Sequence, residues 1–362
     1  MPLGDASTNL NTLRDGTGNL AWRALTKDDR KTKFPRRKTR IARISESKFA
    51  PKVANDLRRK MRGWLRVRIA AHIGVKDERD LIERVIAHLR AIGVDLFVVC
   101  DMYSTDGTAE ILDQYVSDTF RILKVANSEP AGEWLKKNKQ ALERIEADWI
   151  VFLDADEFLL PQSGSLRDAL AQTCEDILYV RRYNVPLCPT GPMLPEELVP
   201  DRYAEVQLLV KSFPNIYEHL RNSPKTPWIR AVPGPKIIAR QESIAGLTDG
   251  MHEIVTPEGR DLRRAIPDSL VIAHVPMSTK ARFERKIQNI RECFGPEEVL
   301  DFSAGQGVAW HWRRWLYLAE KGELDQEFER SRFSMEFIDE LRRDGNVRNA
   351  SEIFAVGASK VA

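Results

Sequence analysis

The chain has 362 residues, 43% apolar and 30% charged, with a net charge of only +3. That is enough chain to bury a sizeable core in one large domain with appendages, or in two domains, and the charge balance gives no global case for nucleic acid binding. The four cysteines (Cys100, Cys174, Cys188, Cys293) are widely spaced with no CxxC pair, which excludes a disulfide scaffold and a zinc finger. No apolar run approaches the roughly 20 residues of a membrane span, and the N-terminus lacks the apolar stretch of a signal peptide, so a cytoplasmic location is the expectation.

Residues 1–63 read as a basic, largely flexible arm, with nine Lys/Arg against two Asp between Lys27 and Arg43 and a short amphipathic helix expected near Ala50–Gly63. The arm is either a plain solvated tail or an electrostatic tether to an anionic membrane surface, at about 1 kcal/mol per basic residue near the headgroups. A strand is predicted at Leu65–Ile73 and an amphipathic helix at Glu78–Ala91, its apolar face carrying Leu81, Ile82, Val85, Ile86 and Leu89. Val94–Asp101 reads as a second buried strand, followed by a turn with capping residues, Tyr103–Thr108, and a helix over 108–116. Phe120–Val125 is a third strand, Glu133–Ile145 a lysine-bearing helix and Trp149–Leu153 a fourth strand. This alternation predicts an α/β fold with a mostly parallel, Rossmann-like sheet flanked by helices. Beyond it come a helix at Leu166–Thr173, a strand at Ile177–Asn184 and a Pro/Gly-rich loop at Pro186–Pro200. Short strands are expected at Val206–Lys211, Ile229–Val232, Lys236–Ala239 and Ser269–His274, then a basic helix at Thr279–Glu292 and a helical, aromatic C-terminus.

The stretch that carries chemistry is Trp149–Pro161, where a buried strand ends in Asp154-Ala155-Asp156-Glu157 before turning apolar again. Adjacent desolvated carboxylates are costly, and a hard divalent cation with oxygen ligands would relieve that cost. In extended backbone Asp154 and Asp156 share a face about 7 Å apart, at roughly 3.3 Å rise per residue. Parallel sheets bind ligands beyond the carboxyl ends of their strands, so Asp101 and the Asp154/Asp156 pair are expected to converge on one crevice.

With these motifs placed, the chain resembles the family 2-like glycosyltransferases of the GT-A fold, in the group whose acidic motif reads Asp-x-Asp-Glu-Phe. Val75-Lys76-Asp77-Glu78 stands where the family carries Lys-Asn-Glu, Asp101–Thr108 where it carries Asp-Asn-x-Ser-Thr-Asp-Gly-Thr, and Leu153–Phe158 supplies Leu-Asp-Ala-Asp-Glu-Phe. His274-x-Pro, with Phe283 and Lys286 downstream, resembles the family's late His segment and its following helix. The resemblance implies a GT-A domain over 64–290, a helical extension over 291–362, and transfer of a sugar from a nucleotide-diphosphate sugar to a glycan, lipid-linked or other acceptor, with inversion. It implies Asp77, Glu78, Asp101, Asp154 and Lys286 around the nucleotide, with Lys286 or Arg285 paired to the diphosphate. It further implies Mn²⁺ or Mg²⁺ held by Asp154, Asp156 and His274 to neutralise the leaving diphosphate. Three departures stand out: Asp77 for Asn, Met102-Tyr103 for Asn and a small residue, and no arginine at Met277-Ser278-Thr279.

An inverting transferase needs a general base at the acceptor hydroxyl. Asp249 and Glu253, in the polar segment 248–253, are the candidates, with Glu242 behind them. Two other readings compete. A nucleotidyltransferase would show a Gly-rich loop after the first strand, and residues 75–79 contain no glycine. A catalytically silent scaffold working through the basic arm would have no need of Asp154 and Asp156. A specific nucleic-acid role lacks the interleaved aromatic residues it would need.

Overall fold

The computed structural model describes residues 67–126, 131–211, 213, 216–293 and 310–358, so the basic arm and the helix expected at Ala50–Gly63 lie outside the described residues. The chain opens with β1 (Ile69–Val75), buried along its length, then α1 (Ile82–Ala91), β2 (Leu96–Asp101), α2 (Thr108–Asp113), β3 (Phe120–Lys124), α3 (Ala131–Glu143) and β4 (Trp149–Asp154). β1 pairs in parallel with both β2 and β4, and β2 with β3. Near-continuous apolar strands follow from this, because helices cover both faces of such a sheet. On one face Ile82, Val85, Ile86 and Leu89 of α1 meet Ile69, Ala71 and Ile73. On the other, Leu142 lies with Ala70, Val98 and Phe152.

β4 is followed at once by β5 (Glu157–Pro161), then α4 (Leu166–Ala171), whose N-terminus Ser165 caps through Asp168 N–H, and β6 (Ile177–Asn184). The apolar residues after the acidic motif therefore form a strand of their own. β7 (Gln207–Leu209), α5 (Ile216–Asn222), β8 (Lys236–Arg240), β9 (Arg264–Ala265) and β10 (Leu270–His274) complete the middle of the chain. β8 inserts antiparallel between β4 and β6. The sheet path is β11-β7-β6-β8-β4-β1-β2-β3, with β9 paired to β6 and β10 paired to both β5 and β6. It is parallel through β4-β1-β2-β3 and mixed beyond.

The C-terminal part holds α6 (Lys280–Cys293), α7 (Trp310–Glu320), α8 (Leu324–Ser331), α9 (Met335–Arg343), β11 (Val347–Asn349) and α10 (Ala350–Ala358). It is helical as expected, except that β11 pairs with β7 and extends the main sheet. A second correction concerns Ile229–Val232, read from sequence as a strand. Trp228–Arg230 is instead a single 3₁₀ turn that buries Trp228 and Ile229. Its apolar run reflects burial rather than pairing, and the carbonyls it leaves off the sheet serve the site described next. Among the described residues no helix is long and apolar enough to cross a membrane.

Candidate active site

Register alone assembles the site. Val75 lies opposite Asp101, and Gly74 opposite both Cys100 and Asp154, so the β1, β2 and β4 ends share one rim. On the adjoining strands Glu157 is opposite His274, and His274 opposite Asn184, a row across β5, β10 and β6.

The first two motifs bind each other. Asp77, at φ +54°, accepts from the Thr105 N–H at 2.6 Å, while its own N–H donates to Ser104 Oγ at 2.9 Å. Glu78 N–H donates to Thr108 Oγ1 at 2.9 Å, and Arg79 N–H to Asp106. Asp101 is fully buried; its oxygens accept from Ser104 N–H and Oγ and pair with Lys124. It holds the turn after β2, the capping role open to it from sequence.

At the acidic motif, four carboxylates meet four cations. Asp154 pairs with Lys236 at 2.8 Å and lies 3.7 Å from Arg182; half of its side-chain surface is open to the crevice. Glu157 is buried against Arg182, with Lys236 at 3.9 Å, and accepts from Asp154 N–H at 2.9 Å. Asp156 Oδ2 accepts from Lys286 at 2.7 Å and from Arg282 at 3.0 Å. Arg282, 1% exposed, also grips Glu78 through two bonds of 2.6 and 2.9 Å and donates to Val275 O. Burial alone would push the Asp156 carboxyl up, but Lys286, then His274 and Arg282, outweigh it and hold it well below the ordinary range. Burial opposes ionisation of Asp154 too, and Lys236 overcomes it. The repulsion that made a metal look necessary from sequence is thus met by Arg182, Lys236, Arg282 and Lys286, residues 26 to 132 positions away from Asp154 and Asp156 in the chain. Charge balance at rest does not call for a metal.

A different feature fits one. Asn184 Nδ2 donates to Ile229 O at 2.8 Å and Ala231 O at 2.7 Å, both obligate acceptors. Its Oδ1 must therefore face His274 Nδ1, 2.7 Å away, which fixes the proton of a neutral imidazole on Nδ1. Burial holds His274 down to about 4, so it is neutral at pH 7. Its Nε2 lone pair then points to Asp156 Oδ1 at 3.5 Å, acceptor against acceptor. Two ligands of one ion at about 2.1 Å are roughly 3.0–3.4 Å apart, close to this separation. Asp154 faces Lys236 instead, and among the described residues no three His, Cys, Asp or Glu side chains form a metal-binding group. The protein offers two donors, and substrate oxygens and water would supply the rest of a coordination sphere.

The acceptor-side candidates separate. Glu253 accepts from Tyr179, Arg264 and Ile254 N–H. Burial and that carboxylate together push the Tyr179 phenol up to about 12. Both oxygens of Glu253 are engaged, so the structure does not present it as a free base. Glu242 lies past Arg240, which pairs with Trp149 at the start of β4, about five residues of strand, or roughly 17 Å, from Asp154. It pairs with Arg260 there, on the wrong end of the sheet for the role suggested by sequence. Asp249 begins the one-turn helix Asp249–Met251, and its side chain lies outside what the structure describes. The next residue, Gly250, accepts from Lys236 through its carbonyl at 3.4 Å, so this turn abuts the acidic motif. Arg285 turns away to Asp80 and Asp106, leaving Lys286 as the helix's contribution at Asp156 alongside Arg282.

Residues 71–245 match the family model described as glycosyl transferase family 2. The chain carries a glycosyl transferase family 2 domain. The matched span of this glycosyltransferase holds Asp77, Glu78, Asp101, Asp154, Asp156, Arg182, Asn184 and Lys236, whereas Asp249, Glu253, His274, Arg282 and Lys286 follow it. No curated protein matches the chain. Among solved structures, Staphylococcus aureus TarS 1–349 is 13% identical over 77% of this chain and 92% of its own, with a TM-score of 0.32, and its complex with UDP-GlcNAc gives the same values. A mycobacterial protein is 18% identical over 51% of this chain and 59% of its own, at a TM-score of 0.30. Sequence reasoning missed Arg182, Lys236, Arg282 and Asn184 of the transferase site. Arg182 and Lys236 carry a signal in hindsight, as charges set beside runs of buried apolar residues, Arg182 shortly after Ile177-Leu178-Tyr179-Val180 and Lys236 directly before Ile237-Ile238-Ala239; Asn184, ending its strand, carries a weaker one.

Proposed function

We propose that this glycosyltransferase takes a nucleotide-diphosphate sugar as donor, uses a divalent cation, and transfers the sugar with inversion to a glycan or lipid-linked acceptor. The observation that carries the reading is the facing pair of Asp156 Oδ1 and His274 Nε2, two acceptors 3.5 Å apart with the tautomer set by Asn184. Mn²⁺ or Mg²⁺ held by these two would supply Lewis-acid neutralisation of the leaving diphosphate. Lys286, a fifth exposed at the crevice, is placed to pair with a diphosphate oxygen while keeping Asp156 ionised. Half-open Asp154 is suited to accept from a ribose or sugar hydroxyl, and Lys236 keeps it charged for that work. Asp77 and Glu78 act through the protein, by fixing the second motif's turn and orienting Arg282. Asp249 is the base we favour, because its turn is tied to Lys236 and Glu253 is already engaged.

Calorimetric titration of UDP, GDP, dTDP and ADP, with and without Mn²⁺, tests the donor and metal together. One nucleotide should bind in a Mn²⁺-dependent way, and Asp156→Asn should remove that dependence. Asp249→Asn should leave nucleotide binding intact and lower kcat by about 10²–10⁴ with the matching sugar nucleotide. Nucleotide binding that ignores Mn²⁺ would remove the metal from the mechanism, and failure of all four nucleotides to bind would remove the donor class.

A further inference from the structure

β6 has two faces, and only one belongs to the active site. Arg182 and Asn184 point to the acidic motif, whereas Arg181 and Tyr183 alternate with them onto the opposite face. There they line a cavity of about 310 Å³. The edge of the sheet closes it: Lys211 follows β7, and Arg348 sits at the middle of β11. Val210, Ile353 and the exposed Val356 form an apolar flank.

The polar groups of this cavity are unbalanced. Arg181 pairs with Asp268 across the mouth, so those two charges cancel. Lys211 and Arg348 are exposed, and among the described residues no carboxylate pairs with either. The Nε–H of Arg181 is buried and has no acceptor, a costly omission for a native donor. Tyr183 adds a phenol beside the guanidinium. Two uncompensated positive charges, a buried donor lacking an acceptor and an apolar flank describe a complementary ligand. A phosphate monoester carries about −1.5 to −2 at neutral pH and three strong acceptor oxygens. A carboxylate would leave half the positive charge unmet. The volume, near the lower bound of roughly 300 Å³ for small-molecule sites, leaves room for a group beyond the phosphate.

We propose that this cavity, on the sheet face opposite the active site, binds a phosphate monoester bearing an apolar substituent. The phosphate lies between Lys211 and Arg348 with an oxygen accepting from Arg181, and the substituent lies along Val210, Ile353 and Val356. The site is independent of the sugar donor and of any metal. A soluble phosphate ester and a phospholipid headgroup share this chemistry, and the test separates them.

The full chain is titrated calorimetrically with inorganic phosphate and with hexyl phosphate, and tested for co-sedimentation with phosphatidylcholine vesicles with and without phosphatidic acid. The double variant Lys211→Glu/Arg348→Glu replaces two exposed side chains and is checked for native circular dichroism; Val356→Asp alters only the flank. Hexyl phosphate should bind at least about tenfold tighter than inorganic phosphate, because two or more methylenes are buried. The double variant should lose both ligands, and Val356→Asp should lose the preference for the hexyl ester. Capture by phosphatidic acid vesicles that disappears in the double variant supports the site with a lipid source. Hexyl phosphate binding without such capture supports it with a soluble one. Equal binding of the two phosphates, or binding unchanged by the double variant, overturns the proposal.

Discussion

Asn184, fully buried, sets the protonation of His274 from within the core. Its amide cannot be turned over, because both Nδ2 hydrogens go to backbone carbonyls, so His274 has one tautomer available. Replacing it with leucine leaves His274 Nδ1 without an acceptor and makes the alternative tautomer, with Nε2–H donating to Asp156 Oδ1, the better one. Asn184→Leu should therefore move the His274 proton from Nδ1 to Nε2, read by ¹⁵N shifts of the imidazole, and weaken Mn²⁺-dependent nucleotide binding about 10–100-fold. An unchanged tautomer would show that Asn184 only packs. The acidic motif itself was plain in the sequence, since three carboxylates closing an apolar strand gain nothing there unless positive charge meets them. Its partners were not, because Arg182, Lys236 and Arg282 are brought in from strands and a helix whose register no local pattern announces.

At the scale of elements, α6 joins the site to the C-terminal core. Arg282 and Lys286, four residues apart and so on one helix face, both reach Asp156, while Phe283, Ile287 and Ile290 lie in a separate apolar cluster with Trp315 and Phe328. Removing Lys286 charge and removing α6 packing should consequently differ. Lys286→Met should cost about 10–100-fold in nucleotide diphosphate affinity, the weight of one charged hydrogen bond, with a smaller loss of stability than the packing variant because Arg282 still pairs with Asp156. Phe283→Ala should destabilise by about 3–5 kcal/mol through a cavity at a residue 1% exposed, read as a lowered denaturant midpoint at constant m. Equal loss of affinity and stability in both would mean that α6 acts as one rigid unit. The parallel half of the sheet was legible because strand and helix alternate with clean periods there. β5 was hidden, since its five buried residues directly after the Asp-x-Asp read as a continuation of the motif. β11, three residues long at a sheet edge, has no pattern to detect, and the Trp228–Arg230 turn imitates a strand because Trp228 and Ile229 are buried for the sake of the core.

For the molecule as a whole, the histidines set a limit on acid tolerance. His88 is 7% exposed and donates through Nε2 to Leu159 O, while its Nδ1 is buried with no partner. Protonation there would create a buried cation, and burial accordingly lowers its pKa to about 4, against the opposing pull of the backbone carbonyls of Leu159 and Leu198. His274 is lowered to about 4 by burial as well. In each case the unfolded chain, titrating near 6.5, binds a proton that the folded chain refuses. Their contribution is therefore complete above pH 6.5 and is lost as pH falls toward 4, at about 1.4 kcal/mol per pH unit for each group. Asp156, whose folded pKa is depressed, adds a loss only below the ordinary carboxylate pKa of 3.8. Against a usual stability of about 5–15 kcal/mol, two such imidazoles suffice to bring unfolding above the pH at which carboxylates titrate. His252 and His311 are lowered as well, to about 4 and about 3, and His72 is lowered too, all chiefly by burial, so each adds to the same loss. Denaturant titrations between about pH 7 and pH 4.5 should show stability falling steadily, and His88→Leu should remove one proton's share, about 1.4 kcal/mol per unit, from the slope. A flat profile through this range would mean that these imidazoles keep solvent access that the folded structure does not give them.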